Sequence, residues 1–380
     1  MDFGFAEEQD MLRASARDFL ARECPKAKVR EIDRDEKGYD PQVWHDMARL
    51  GWIGLVLPDE YGGMGASFMD LAILMEEMGR NILPGPFFST VALCALPLLE
   101  FGNDDQKREY LPQISSGHAI WTFALTETSG RYKATDVSLR AAREGGDYIL
   151  RGHKLFVADA HIADHILVVG RTGESTSPED AITVLIVNAR DPNIRIEPLP
   201  TIGGDRQFEV SFDSVQVPSD SVLDKVGRGW NIAEFVLQRA AVLKCAEMCG
   251  ACQAVLDTTN SYAKERIQFE RPIGSFQAIQ HKLTDMVIDL EAVQYLLYQA
   301  AWAISVGSPS PWQISAAKAK ANQAYQRICI DAIAVHGAIG YTMDDDIGLY
   351  YRRVKAAEYA AGDSDLHREV LAAGLGLQVS

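Results

Sequence analysis

The fold is decided by three short runs in the middle of the chain: His165-Ile-Leu-Val-Val169, Ile182-Thr-Val-Leu-Ile-Val187 and Phe208-Glu-Val-Ser-Phe212. These runs are rich in β-branched and aromatic residues, and turn residues such as Glu144-Gly-Gly-Asp147 separate them from their neighbours. Short runs of this composition, bounded by turn formers, are typical of β-strands. The pattern predicts a β domain over residues 118–225, folded as a small barrel or sandwich.

Helical periodicity surrounds this region on both sides. Apolar residues recur at helical spacing among charges between residues 5 and 24, and similar segments follow up to residue 117. After Gly227-Arg-Gly229, long helical stretches are predicted over residues 229–265, 276–306, 312–336 and 346–373. The expected fold class is therefore α+β, with an N-terminal helical domain (1–117), the middle β domain (118–225) and a C-terminal four-helix bundle (226–380).

Composition excludes several classes of protein. Hydrophobic residues make up 47% of the 380 residues and charged residues 24%, which is typical of globular proteins rather than disordered ones. The 37 basic and 53 acidic residues give a net charge of −16, which argues against nucleic-acid binding. No apolar run approaches the ~18–20 residues of a membrane span, and the acidic N-terminus lacks an apolar signal core. These features predict a cytoplasmic protein.

The cysteines predict neither a disulfide framework nor a metal site. All six are scattered through a long chain, unlike those of small secreted scaffolds. Cys245, Cys249 and Cys252 share one face of a predicted helix, but no obvious fourth ligand accompanies them. We therefore expect three small buried residues on a packed helix.

Several motifs occur in a fixed order along the chain. They are Leu57-Pro-Asp-Glu-Tyr-Gly-Gly63, Phe123-Ala-Leu-Thr-Glu127, Ala263-Lys-Glu-Arg-Ile-Gln-Phe-Glu-Arg-Pro-Ile273, Phe276-Gln-Ala-Ile-Gln280 and His336-Gly-Ala-Ile-Gly-Tyr-Thr342. Each is short, but together and in this order they resemble the motifs of the acyl-CoA dehydrogenase family over nearly the whole chain. The resemblance implies an FAD-dependent oxidoreductase of lipid metabolism.

The resemblance also implies a cofactor, a substrate and partners. FAD would lie between the β domain and the bundle, with its adenosine end reaching a neighbouring subunit of a dimer or tetramer. In the family a carboxylate removes the α-proton of an acyl-CoA thioester while the β-hydrogen leaves as hydride to the flavin. Removing so weakly acidic a proton requires a base within reach in a dry site. An electron-transfer flavoprotein is the implied electron acceptor.

Seven residues are assigned a role by the resemblance alone. Three would contact the flavin ring in the same chain: Phe123, Leu125 and Thr126. Three would reach the FAD of the adjacent subunit: Arg266, Phe269 and Gln277. A guanidinium such as that of Arg266 suits a pyrophosphate because it binds phosphate through two N–H groups. Arg239 would line the substrate side. For each, an ordinary structural role in a strand, a core or a surface ion pair is the alternative.

The catalytic base is the main departure from the family. It usually comes from a Glu just before a Gly, and the matching residue here is Ala361, or from a Glu directly before a bundle arginine, where Gln238 stands. Neither alanine nor glutamine accepts a proton from carbon, so the catalytic residue is unknown. Glu358, one turn before Ala361, is a weak substitute. The family's hydroxyl near the flavin is also missing at Ala158, and Glu270 stands where a glycine is usual.

Three hypotheses follow. The favoured one is a base-lacking partner chain in a heteromeric (α2β2-type) acyl-CoA dehydrogenase, because the segment from Leu349 to Glu369 resembles that of bacterial chains that act on steroid side chains. In such pairs one chain carries the base and each surviving FAD site borrows from both chains. The second hypothesis is a self-sufficient homo-oligomer with an atypical base. The third is a divergent member used for other chemistry or for binding.

Overall fold

The computed structural model describes residues 4–342 and 344–377. Six α-helices precede the sheet: α1 Glu7–Glu23, α2 Lys26–Ile32, α3 Pro41–Arg49, α4 Phe68–Asn81, α5 Leu96–Phe101 and α6 Asp104–Ser115. Local chemistry sets where several of them begin. Ser67 accepts a hydrogen bond from the backbone N–H of Asp70 and so caps α4. A π-helical segment, Phe88–Ala95, leads into α5.

Eight strands follow: β1 Trp121–Ala124, β2 Arg140–Glu144, β3 Asp147–Ala158, β4 His165–Arg171, β5 Ile182–Asn188, β6 Ile194–Leu199, β7 Gln207–Val217 and β8 Val222–Leu223. They form one sheet in the order β6-β7-β3-β2-β4-β5-β8, and β1 pairs with β4 in parallel. The three runs that predicted the β domain lie in β4, β5 and β7. One face of the sheet encloses its own apolar core, and the other packs on the helices.

The C-terminal helices are α7 Gly229–Glu265, α8 Gln277–Ser305, α9 Pro311–His336, α10 Asp346–Tyr359 and α11 Ser364–Gly374. A short hairpin of β9 Ile267–Gln268 and β10 Arg271–Pro272 joins α7 to α8. The helix-β-helix plan confirms the expected α+β fold class. Cys245, Cys249 and Cys252 are buried on α7. Within residues 4–342 and 344–377, no group of three His, Cys, Asp or Glu side chains could hold a metal ion.

The helical stretch predicted over residues 346–373 is wrong in one respect, because the structure breaks it into α10 and α11. The break occurs at Ala361 and Gly362, whose φ angles are +57° and +107°. Asp363 then caps α11 by accepting hydrogen bonds from the backbone N–H groups of Asp365 and Leu366. A left-handed residue pair followed by an N-cap ends one helix and starts another.

Helices α4 and α7 cross at two glycines. A Cβ atom on Gly79 would lie 1.9 Å from the carbonyl oxygen of Glu247, and one on Gly250 would lie 1.7 Å from that of Glu76. Only a residue without a side chain allows two backbones to approach so closely. The crossing brings the middle of α7 against the wall that α4 contributes to the site below. No helix in the described ranges has the length and apolar character that a bilayer crossing requires.

Candidate functional site

A cavity of about 1130 Å³ opens between the sheet and the helices. Its wall is formed by α4, the π-helical segment, the ends of β1 and β3, one face of α7 and the turn between α10 and α11. The cavity therefore lies where the three structural regions meet. Ligand sites commonly occupy such junctions between domains.

The three residues predicted to contact a flavin ring all line this cavity: Phe123, Leu125 and Thr126. Phe123 lies on β1, and the other two follow its last residue. Phe156 and Ala158, at the end of β3, line the same wall. Ala158 contributes a methyl group where a hydroxyl is expected from the family motif, so this part of the wall offers one hydrogen bond fewer.

A buried ion pair fixes the backbone behind these residues. Lys154 donates to the carbonyl oxygen of Leu125 at 3.0 Å and to Glu127 Oε1 at 2.7 Å. Glu127 also accepts the backbone N–H groups of Ser138 and Leu139 at 2.9 Å and 3.0 Å. Burial lowers the pKa of Lys154 to about 8, against the opposing charge of Glu127. The pair stabilises the segment that carries Thr126. This ion pair was not predicted from the sequence because Lys154 lies on a strand distant from Glu127.

Tyr132 is a cavity residue that the sequence analysis did not identify. It lines the cavity from the segment between β1 and β2. Its hydroxyl donates to the carbonyl oxygen of Tyr359 at 3.3 Å. Burial raises the pKa of Tyr132. The side chain therefore bridges from the flavin-side segment to the end of α10.

The turn between α10 and α11 places Ala361 in the cavity wall. Two side chains hold this turn in position. Lys318 donates to the carbonyl oxygens of Ala357, Glu358 and Gly362 at 3.1–3.2 Å. His367 Nε2 lies 2.9 Å from the carbonyl oxygen of Ala361. The backbone of the expected base position is thus firmly fixed, while its side chain is a methyl group.

Helix α7 faces the cavity first through Val236 and Leu237 and then through residues spaced three and four apart: Ala240, Lys244, Glu247 and Ala251. Gln238 is not among the lining residues. It lies two residues from Ala240, which is about 200° around an α-helix. Leu237, the residue directly before Gln238, does line the cavity, so the assignment of Gln238 to a base position stays a prediction.

Arg239 is not among the residues that line the cavity, and its predicted place on the substrate side stays a prediction. Its guanidinium stacks 3.3 Å from the centre of the Phe235 ring and lies 3.5 Å from the carbonyl oxygen of the same residue. Burial lowers the pKa of Arg239 to about 10. In this chain the guanidinium therefore packs on Phe235.

The weak substitute base Glu358 does not line the cavity either. Its carboxylate pairs with Lys355 at 2.9 Å. Asp363 does line the cavity, but its carboxylate caps α11 and is engaged by two backbone N–H groups. The Glu358 carboxylate is therefore ion-paired, and Oδ1 of Asp363 is engaged by the helix cap.

Two charged residues on α7 line the cavity and were missed from the sequence. Lys244 Nζ lies 2.6 Å from Glu247 Oε2 and 4.0 Å from the centre of the Phe88 ring. In the sequence they resemble an ordinary surface pair at (i, i+3). Their spacing from Ala240 and Ala251 is the signal that places them on the cavity face.

A third acid lies at the end of β3. Asp159 is buried in the cavity wall, and its Oδ2 accepts a hydrogen bond from Ser89 at 2.7 Å. Burial raises the pKa of Asp159 to about 6, although the Ser89 hydrogen bond and the charge of Lys244 lower it. The cavity therefore contains a polar patch, which we define as Ser89, Asp159, Lys244 and Glu247.

The residues predicted to reach a partner's cofactor lie far from this cavity. Arg266 ends α7, Phe269 is 85% exposed at the tip of the β9–β10 hairpin, and Gln277 is exposed at the start of α8. None of them lines the cavity. Arg266 lies fifteen residues beyond Ala251, which is about 22 Å along the helix axis. They therefore form a group directed away from the chain's own site.

The cavity fits the flavin part of FAD. Its volume exceeds the ~300–1,000 Å³ of common ligand pockets, and its wall combines the apolar side chains of Phe123, Leu125 and Phe156 with the hydroxyl of Thr126. In the described part of the chain, Gln207 Oε1 is a buried wall atom without a hydrogen-bond partner. A ring system with apolar faces and polar edges matches such a wall.

Comparison with known proteins agrees with the motifs. Three family models match the chain: the acyl-CoA dehydrogenase N-terminal domain over residues 6–118, the middle domain over residues 122–215 and the C-terminal domain over residues 227–376. The chain is similar to the probable acyl-CoA dehydrogenase YngJ of Bacillus subtilis (strain 168), with 32% identity over 379 residues that cover 98% of this chain and 99% of that protein.

Two solved structures have the same fold. Butyryl-CoA dehydrogenase from Megasphaera elsdenii is 27% identical, with 99% of this chain and 100% of that chain covered and a TM-score of 0.92. A chain of the ChsE4-ChsE5 complex from Mycobacterium tuberculosis is 26% identical, with full coverage of both chains and a TM-score of 0.90.

Proposed function

Because the chain belongs to the acyl-CoA dehydrogenase family of FAD-dependent oxidoreductases, we propose that it is the base-lacking partner chain of a heteromeric acyl-CoA dehydrogenase of the α2β2 type. The complete enzyme would carry out α,β-dehydrogenation of an acyl-CoA thioester. A homologous chain would supply the carboxylate that this chain lacks.

The observation that carries the proposal is the chemistry of two cavity-facing positions. Ala361, in the turn between α10 and α11, and Ala240, on α7, both present methyl groups to the cavity. Removal of an α-proton needs a base within hydrogen-bond reach, and a methyl group accepts no proton. The fixed backbone around Ala361 argues against a collapsed site, because Lys318 and His367 still hold the turn.

The remaining residues fit a subunit that helps to bind FAD and does not supply the base. FAD, when bound, supplies the acceptor for the hydride. Leu125 and Thr126 would hold one edge of the flavin, with their backbone kept in place by Lys154. Arg266 and Phe269, at the far end of α7, would bind the FAD of the partner chain. A guanidinium there would neutralise pyrophosphate charge across the interface.

Three finer parts of the proposal rest on the resemblance alone. They are a steroid-type side chain on the substrate, an electron-transfer flavoprotein as electron acceptor and a cytoplasmic location. The ChsE4-ChsE5 complex supports the heteromeric arrangement only as a structure of two associated chains with a fold like this one.

One observation favours the alternative of a self-sufficient homo-oligomer with an atypical base. Glu247 is a carboxylate on the cavity face of α7, one helical turn beyond Lys244. Its oxygen is held by Lys244 at 2.6 Å. An ion-paired carboxylate is a weak base, so this alternative requires the substrate to displace the lysine.

The test compares the chain alone, the chain with a co-expressed homologue that carries Glu at the position of Ala361, and the variant Ala361→Glu alone. Acyl-CoA-dependent reduction of an artificial electron acceptor is measured. We expect no turnover by the chain alone, turnover by the mixture, and a gain of at least tenfold in the variant over the wild type. Ala361→Gln has the same length and no basic oxygen, and should remain inactive.

Turnover by the wild-type chain alone, abolished by Glu247→Gln, would refute the proposal in favour of the self-sufficient enzyme. Turnover by the chain alone that is indifferent to Glu247→Gln would refute both.

A further inference from the structure

A positive charge lies among apolar side chains in the cavity. Lys244 is buried on α7, with its ammonium against the Phe88 ring and Glu247. Cavity-lining neighbours on α4 and α7 include Met75 and Ala240. A hydrocarbon chain that enters this part of the cavity therefore meets a cation rather than a continuous apolar wall.

The lysine has unused hydrogen-bond donors. An ammonium carries three N–H groups, and within residues 4–342 and 344–377 Lys244 Nζ has one hydrogen-bond acceptor, Glu247 Oε2. Covering the other two donors with hydrocarbon removes their water without replacing it, which is unfavourable. A ligand that brings an acceptor oxygen to this point avoids that cost.

The charges of the polar patch decide which oxygen fits. The patch holds two acidic side chains, Asp159 and Glu247, and one basic side chain, Lys244. A ligand carboxylate would add a third acidic group to a partly dry wall. A hydroxyl is neutral, accepts a hydrogen bond from an ammonium and donates one to a carboxylate. The patch therefore favours a hydroxyl over a carboxylate.

The position of the polar patch on α7 sets how far from the α-carbon of the ligand the hydroxyl should lie. Ala240 and Lys244 are four residues apart on α7, which is about 6 Å along the axis, or about five bonds of an extended chain that advances about 1.25 Å per bond. We infer that the cavity selects acyl thioesters whose chain carries a hydroxyl oxygen about five bonds beyond the α-carbon. This inference rests on the proposed function, which places the reacting carbons beside Ala361 and Ala240.

The test measures binding, so it does not depend on turnover. Three six-carbon thioesters, 6-hydroxyhexanoyl-CoA, hexanoyl-CoA and adipoyl-CoA, are titrated by calorimetry into the full chain as it purifies. We expect the hydroxy thioester to bind about tenfold more tightly than hexanoyl-CoA and more tightly than adipoyl-CoA. Lys244→Met, which keeps the length of the side chain, should reduce the hydroxyl preference to less than twofold.

Two further variants keep the result interpretable. Lys133→Met removes an exposed lysine that lines the cavity elsewhere, and the ratio of the three affinities should not change. Glu247→Gln removes one negative charge from the patch, and adipoyl-CoA should gain affinity relative to hexanoyl-CoA. This second effect tests the charge argument even where Lys244→Met does not fold.

The outcomes separate the two proposals. Hexanoyl-CoA binding as tightly as the hydroxy thioester, or adipoyl-CoA binding most tightly, would overturn this inference and leave the proposed function intact. Absence of binding for all three thioesters, both to the chain and to its complex with a homologue, would overturn the proposed function and this inference with it.

Discussion

Replacing Lys318 by methionine should destabilise the protein by about 3 kcal/mol. Lys318 is fully buried on α9, and its ammonium serves the carbonyl oxygens of Ala357, Glu358 and Gly362 as well as Asn322 Oδ1. These carbonyls lie at the end of α10, where intrahelical partners run out. At about 1 kcal/mol for each hydrogen bond lost, three carbonyls give the stated value, and methionine retains the packing of the methylene chain.

The free energy of unfolding is measured by urea titration followed by circular dichroism. Hydrogen exchange at residues 360–367 should also accelerate, because the turn loses its anchor. The matched control is Lys320→Met on the same helix. Lys320 pairs with Asp289 at 2.7 Å, but Arg327 also contacts that carboxylate at 3.4 Å, so a loss of less than about 1 kcal/mol is expected. Equal losses in the two variants would refute the anchoring role of Lys318.

Three further predictions concern packing, the cofactor and pH. Gly250→Ala should lower the free energy of unfolding by more than about 2 kcal/mol in thermal melts, because its Cβ would overlap a carbonyl oxygen of α4; Gly173→Ala, with open space around it, should be neutral. Tyr132→Ser should raise the FAD content of the purified chain in its visible spectrum, since the Tyr132 ring lines the same cavity as Thr126 and a serine leaves more room, and Tyr132→Phe, which keeps the ring, should raise it less. In urea titrations the wild type should lose up to about 3 kcal/mol of stability relative to Asp159→Asn as the pH rises from about 4 to about 6, because folding raises the pKa of Asp159 and ionisation of this carboxyl then favours the unfolded chain.

The sheet and the flavin-side wall of the cavity could be predicted from the sequence for a physical reason. Runs such as Ile182–Val187 have the periodicity and composition of strands, so their local preference and the tertiary structure agree. Phe123 and Thr126 were found through a local motif, and both line the cavity. Residues that lie together in one short segment of sequence remain close to one another in the folded chain.

The cavity face of α7 and the turn between α10 and α11 could not be predicted from the sequence in the same way. The sequence Ala356-Ala-Glu-Tyr-Ala-Ala361 consists mainly of good helix formers, and Gly362 is its one strong stop signal. Gln238 lies two residues from Ala240, and two residues on a helix move a side chain to the opposite face, so the sequence alone does not fix which residues of α7 face the cavity. Lys244 and Glu247 resemble surface charges until α4 and the π-helical segment are placed against them.

Because α7 is long, a substitution at its far end can impair a cofactor site in another chain of the proposed heteromer. The helix has 37 residues, with the cavity face ending at Ala251 and Arg266 just past the end of the helix. In the proposed heteromer, a substitution of Arg266 would leave this chain's own cavity unaltered and empty the partner's cofactor site. The gene that carries a lesion and the active site that fails would then belong to different polypeptides.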